Sequence, residues 1–331
     1  MPGPNAFVHG TADTVYSDTG PHHRWSVGGL FDAISINGNE LNVQNRGNYG
    51  TGHGWAGGST VGELNISGGN VTINNSASLV AAIRLGTNTA TGNATVTASM
   101  NLTGGTTTLS GDIIRNATSP RTTSTVKLSG GSLDMSGNKI GTATEPIAFT
   151  VESGTLQNIA IINGTAGLTK TTTGTLVISG TNIYTGTTTV SSGTLAPRGS
   201  PSIVGALTLS SSSTFQPRIN GTTAGTQYDQ LTASGSITLA GPLDLLPSVG
   251  LPAGGSFTIL NKTSAGAISG TFSSKPEGSV FTEDGYTWII TYLGGDGNDV
   301  VLTLVTPVQS WRFAYFGTLS NTGTAARVFT G

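Results

Sequence analysis

Leu64-Asn65-Ile66-Ser67-Gly68-Gly69-Asn70-Val71-Thr72-Ile73 decides how this chain is read. Apolar residues alternate with polar ones on both sides of a Ser-Gly-Gly corner, the period-two pattern of a strand with one buried face. The unit returns as Met100-Asn101-Leu102-Thr103-Gly104-Gly105 with Leu109 beyond, and as Val126-Lys127-Leu128-Ser129-Gly130-Gly131-Ser132-Leu133. Looser copies centre on Gly154, Gly180 and Gly193. Aligning the second glycine gives positions 69, 105, 131, 154, 180 and 193, with spacings of 36, 26, 23, 26 and 13. The period is about 25, with one insertion and one half step.

A unit of that length with two or three strands matches one rung of a parallel β-helix, in which each rung buries its inward residues on the rung below. Leu64, Ile66, Val71 and Ile73 would face in, and Asn65, Asn70 and Thr72 would face out or line ladders. The corner glycines would supply the tight turns with φ > 0 that other residues take only with strain. The fold class expected is all-β, a parallel β-solenoid (β-helix) with an N-terminal cap and a C-terminal β cap and tail. A β-sandwich is the alternative, because its short strands and turn clusters look alike in a single sequence.

Composition agrees with β-structure rich in turns. Of the 331 residues, 50 are Gly, 35% are hydrophobic and only 9% are charged, which does not resemble an ordinary cytosolic enzyme. Val, Ile and Leu interleaved with Thr throughout also argue against disorder. A net charge of −2 without any Lys/Arg cluster offers nothing to a phosphate backbone, so nucleic acid is not expected as a partner. The absence of Cys excludes disulfides and thiolate metal sites. No apolar stretch is long enough to be a transmembrane segment, and Met1-Pro2-Gly3-Pro4-Asn5 lacks the basic and apolar regions of an export signal. Low charge with abundant Thr, Asn and Gly points to an extracellular or cell-surface location on a bacterium.

The segment from Gly167 to Leu195 keeps a Leu168-Thr169-Lys170 opening, a Gly174-Thr175-Leu176 strand, an Asn182-Ile183-Tyr184-Thr185-Gly186 turn and a closing Val190-Ser191-Ser192-Gly193-Thr194-Leu195. It resembles the autotransporter-associated β-strand repeat of β-helical surface proteins. The resemblance implies a β-helical passenger serving adhesion, aggregation or display without enzymatic activity. The stretch from Tyr228 through Leu302 is similar to the segment that closes such arrays, and Trp311 to Gly317 is similar to a segment that precedes sorting tails in exported repeat proteins. The organisation expected is an N-terminal cap over 1–60, repeats over 61–227, a C-terminal solenoid or cap region over 228–304 and an aromatic tail over 305–331.

Gly294-Gly295-Asp296-Gly297-Asn298-Asp299-Val300-Val301-Leu302 fits a Ca²⁺-binding nonapeptide, with Asp296 and Asp299 as candidate ligands. Successive rungs normally share such ligands, so a lone copy reads more naturally as a tight turn, and no other cofactor is expected. His9, His22, His23 and His53 lie near Trp25 and Trp55 but lack metal-site spacing, so this segment reads as an end cap. Asp112, Asp134, Glu145 and Glu152 stand singly, which offers no carboxylate pair for polysaccharide cleavage. Trp311, Phe313, Tyr315 and Phe316 form an apolar cluster expected to act as an assembly interface. The function expected is therefore a non-catalytic structural β-solenoid, not an enzyme, polymerising head to tail into a surface fibre or matrix. The alternatives are a monomeric displayed adhesin, with a surface glycan or matrix as partner, and a polysaccharide-active β-helix enzyme.

Overall fold

The computed structural model describes residues 60–74, 81–88, 95–117 and 121–321, together with short strands at Asn5–Val8, Thr11–Ala12, Gly29–Asp32, Ser35–Asn37 and Leu41–Val43. The largest sheet has twelve strands, and its spine runs through Thr60–Asn74, Val96–Leu109, Thr122–Ile140, Ala148–Ile162, Thr175–Ser179, Gly193–Pro197 and Ser213–Phe215, all paired in parallel. Residues 72, 108, 134 and 157 sit side by side, so successive strands are 36, 26 and 23 residues apart. Further on, Thr175, Thr194 and Thr214 are neighbours at steps of 19 and 20.

Gly69, Gly105, Gly131 and Gly154 lie one above another, all with positive φ. A Cβ on Gly105 would stand 2.5 Å from the carbonyl oxygen of Gly69, and one on Gly131 would stand 2.6 Å from the backbone of Gly104. The stack tolerates no side chain because each corner rests directly on the backbone of the one below. Gly180 is not in this column; it packs against Asn158, while Gly193 rests on Gly174. The half step in the sequence alignment thus arises from placing Gly180 at the wrong corner.

A five-stranded parallel sheet is ordered Leu168–Lys170, Thr188–Val190, Leu207–Leu209, Ile237–Leu239 and Ser269–Gly270. Thr169, Thr189, Thr208, Thr238 and Ser269 are in register across it, between inward residues such as Leu207 and Ile237. A seven-stranded sheet begins with four parallel strands, Thr181–Asn182, Ser202–Ile203, Leu231–Ala233 and Ser256–Lys262. It then turns antiparallel through Asp299–Leu304, Tyr286–Gly294 and Val280–Glu283. One apolar core runs from Leu64 to Leu304 and includes Phe257 and Trp288, whose rings meet edge to face at 5.8 Å. Each buried Leu, Ile or Phe contributes about 1.5–3 kcal/mol.

These features correct the expected all-β parallel β-solenoid with a cap at each end. The chain forms a single domain of interconnected sheets, one of them mixed, and it contains an α-helix, α1 (Pro307–Phe316). Thr306 caps α1 in a reciprocal box with Gln309, and Gly317 ends it in the left-handed conformation. The expected fold contains no helix because strand periodicity dominates the sequence before the tail, whereas Thr306-Pro307 is a helix-start signal. The sequence periodicity also extends unchanged into the mixed sheet, since alternation looks the same in parallel and antiparallel strands.

Candidate functional site

Where alternation turns polar residues outward on the twelve-stranded sheet, they form a row. Asp134, Gln157 and Ser179 are register neighbours, and Arg198 follows one position beyond the Ile178–Pro197 pair. Adjacent strands place such residues about 4.7–4.9 Å apart. The row is internally braced: Gln157 Nε2 donates to Asp134 Oδ2 at 3.2 Å, and Ser179 Oγ donates to Gln157 Oε1 at 2.8 Å. Asp134 Oδ1 also accepts from the Ser136 amide at 2.8 Å and from Asn158 Nδ2 at 2.9 Å.

At its far end the row meets a buried charge cluster. The Asp229 side chain is only 3% exposed, and Arg218 clasps it through Nε at 2.9 Å and Nη2 at 3.0 Å. Arg198 Nη1 donates to the same carboxylate at 3.3 Å, and the backbone amides of Gly199 and Arg218 donate at 2.8 and 2.9 Å. Five donors thus converge on one carboxylate, the arrangement that makes a buried charge tolerable. Burial pulls the Arg198 guanidinium below its usual range, Asp229 opposes this, and the neighbouring Arg218 charge adds to it. The hydrogen bond to Asp229 raises Arg218.

Beside the arginines lies an acidic corner. Gln216 Nε2 donates to Asp244 Oδ2 at 2.7 Å, and the amide of the next residue, Leu245, donates to Glu283 Oε1 at 2.6 Å. Lys275 Nζ stands 3.7 Å from Glu283 Oε2 and 4.6 Å above the Phe281 ring. Burial first, and then the charges of Asp244 and Asp284, push the Glu283 carboxyl above the usual range, against the Leu245 hydrogen bond and Lys275.

The residues singled out in the sequence are dispersed. Asp112 accepts from the Lys139 amide at 2.9 Å, and Glu152 pairs with Lys127 at 2.9 Å. Glu145 donates its backbone amide to Thr142 Oγ1 at 2.9 Å. Asp299 is buried and accepts from the Lys262 amide at 2.8 Å, while Asp296 is exposed. The nearby carbonyls of Ser264, Ala265 and Gly266 all receive Lys262 Nζ, at 2.6–2.8 Å. Among the described residues no group of three or more His, Cys, Asp or Glu side chains converges as a metal cluster would, and no helix is long and apolar enough to cross a membrane. On α1, the Trp311 ring lies 5.3 Å from Tyr315 and 5.4 Å from Phe316, and Phe313 is half-buried. His9, His22, His23, His53, Trp25 and Trp55 lie outside the described residues.

Sequence reasoning missed Asp229, Arg198, Arg218, Asp244 and Glu283. A signal was present: Arg198 and Arg218 are 20 residues apart, the same step that separates Thr194 from Thr214. Asp229 and Glu283 gave none, since loops and a chain reversal bring them in.

The expectation that the chain is not an enzyme is corrected, because its premise was that acids stand singly. The fold brings Glu283 beside Asp244, with a raised carboxyl, and buries Asp229 between two arginines. The structural-fibre reading is corrected by the same network, together with its solenoid, filament, structural-protein and adhesion descriptors. Buried charges cost stability unless fully paired, and an inert rod would need none of them. A folded binding or catalytic domain accounts for them better.

No protein-family model and no curated protein matches the chain. The likeness to the autotransporter-associated repeat is therefore corrected as well. Gly167–Leu195 is divided among three different sheets, and the Thr, Gly and branched-apolar alternation that any parallel ladder requires is enough to produce the likeness.

Proposed function

We propose that this domain binds an extended glycan along the polar row of the twelve-stranded sheet, in an extracellular or cell-surface setting. The observation that carries the reading is the braced run Asp134–Gln157–Ser179 on three neighbouring strands, continued just past Pro197 by Arg198, which Asp229 ties to Arg218 on the small Arg218–Ile219/Leu246–Pro247 sheet. Planar groups with paired donors and acceptors match the vicinal hydroxyls of sugars, and bracing by neighbours reduces the entropy lost on binding. A chain polymer suits a row better than a pocket, because each strand repeats the presentation. Affinity electrophoresis against a panel of soluble polysaccharides tests the reading. Retardation by at least one polymer, lost in Gln157→Ala/Ser179→Ala, is expected; equal retardation of both proteins, or none by any polymer, overturns it.

A second reading is favoured by Glu283, whose raised carboxyl beside Asp244 has the character of a proton donor paired with a second acid. In this reading the bound glycan is cleaved at the acidic corner. Release of reducing ends by the wild type, abolished by Glu283→Gln while binding persists, supports it; no release from any polymer that binds refutes it.

A further inference from the structure

Arg198 and Arg218 converge on a single carboxylate, with the acidic corner of Asp244 and Glu283 beside them. Arg198 and Arg218 share Asp229, and every hydrogen bond they make to a side chain goes to that one carboxylate. The remaining acceptors of Arg198 are the carbonyls of Pro197, at 2.7 Å, and Gln216, at 3.2 Å, which bring no charge. Asp244, in the acidic corner beside them, is engaged by Gln216. Among the described residues Asp229 is thus the one carboxylate to which either guanidinium hydrogen-bonds.

Arg218 employs Nε and Nη2 on Asp229, and Arg198 employs Nη1, so Arg218 Nη1 and Arg198 Nη2 make no hydrogen bond within the described residues. The Arg218 side chain is 43% exposed and that of Arg198 24%. Asp229 holds both guanidinium groups, Arg218 by two parallel bonds, so their remaining edges are fixed in orientation. A guanidinium edge held this way is matched by a carboxylate, which accepts from two donors at once.

We propose that the Arg198–Arg218 pair is a subsite for the carboxylate of an acidic sugar, so that the glycan taken by the row is a polyuronate. The inference rests on the glycan-binding reading and deepens it. The hydroxyls of neighbouring sugars fall to Ser179, Gln157 and Asp134, and the uronate carboxylate falls to the arginines. A sulfated glycan or a free small carboxylate shares part of this chemistry, and the test separates them.

The full chain is titrated calorimetrically with a galacturonate oligomer, with its methyl ester, with a sulfated neutral oligomer and with acetate. The acid oligomer is expected to bind at least tenfold more tightly than the ester at low salt, with the advantage shrinking as salt rises and acetate alone showing no measurable binding. Arg218→Gln is expected to bring acid and ester to equal affinity, and Arg218→Lys to retain part of the preference. Should the variant fail to fold, the acid/ester ratio and its salt dependence in the wild type still decide. Equal binding of acid and ester overturns the subsite while leaving glycan binding intact. Tighter binding of the sulfated oligomer overturns the carboxylate assignment, and binding of none of the oligomers overturns both.

Discussion

Replacing Asp229 with Asn changes one oxygen to an amide nitrogen and almost nothing in volume. Its consequence follows from the five donors that converge on the carboxylate. The Asn oxygen can accept two of them well; its NH₂ group then points at donors, and the two guanidinium groups lose their shared counter-ion. Removing one partner of a buried ion pair costs about 3–5 kcal/mol. The Arg218 side chain is 43% exposed and regains part of its loss from water, which places the expectation at the lower end, about 3 kcal/mol. For a chain of this size a loss of 1 kcal/mol lowers Tm by roughly 1.5 °C, so the midpoint should fall by about 4 °C. Far-UV circular dichroism during heating at pH 7 measures it. Asn101→Ala, which deletes one exposed amide hydrogen bond to Asn65, serves as the control and should move Tm by about 1 °C or less. A midpoint for Asp229→Asn indistinguishable from that control refutes the claim that the cluster is a paired, desolvated charge network.

Gly131→Ala places a Cβ 2.6 Å from the Gly104 backbone at a residue with φ of 68°. The left-handed conformation alone costs about 1–2 kcal/mol, and the overlap adds to it because backbone cannot rotate away. A loss of at least about 3 kcal/mol by urea titration is expected; a loss below about 1 kcal/mol contradicts the stacked corners. Glu283 has a raised folded-state pKa, so the folded protein holds its proton more tightly than the unfolded chain does. Its contribution to stability therefore falls as pH rises from the ordinary glutamate value near 4.5 through the raised value. Glu283→Gln keeps an acceptor for the Leu245 amide and should remove this slope, leaving the urea midpoint at pH 7 equal to or above that of the wild type. Identical slopes in the two proteins refute the burial argument. Lys170 lies the other way: burial lowers its ammonium pKa, partly offset by Glu152, so wild-type stability should rise as pH climbs toward 10.5. The rise should be smaller in Lys170→Met, and an unchanged rise removes Lys170 as its source.

Much of the core was legible because burial imposes a period of two. Leu64, Ile66, Val71 and Ile73 face inward as alternation requires, and Gly69, Gly105 and Gly131 mark real corners. What alternation cannot encode is which sheet a strand joins. Gly180 looks like another corner glycine, yet it rests on Asn158, whose own positive φ makes a different turn. Nor does the period distinguish Ser256–Lys262, with a parallel neighbour on one side and an antiparallel one on the other, from the strands before it. The site was less legible still. Outward positions are free to hold any polar residue, so Asp134, Gln157 and Ser179 become a row only when the register is known. Asp229 reaches Arg218 across 11 residues and Glu283 reaches Leu245 across 38, through loops whose paths depend on the finished fold.

The central claim, that the polar row of the long sheet is a glycan-binding surface, is tested most directly by mapping backbone amide chemical shifts in isotope-labelled protein during titration with a galacturonate oligomer. Shifts concentrated at Asp134, Gln157, Ser179, Arg198 and Arg218, with Thr169, Thr189, Thr208 and Thr238 on the five-stranded sheet unmoved, are the result expected. Shifts confined to the threonine face, spread evenly over the molecule, or absent at saturating oligomer contradict it.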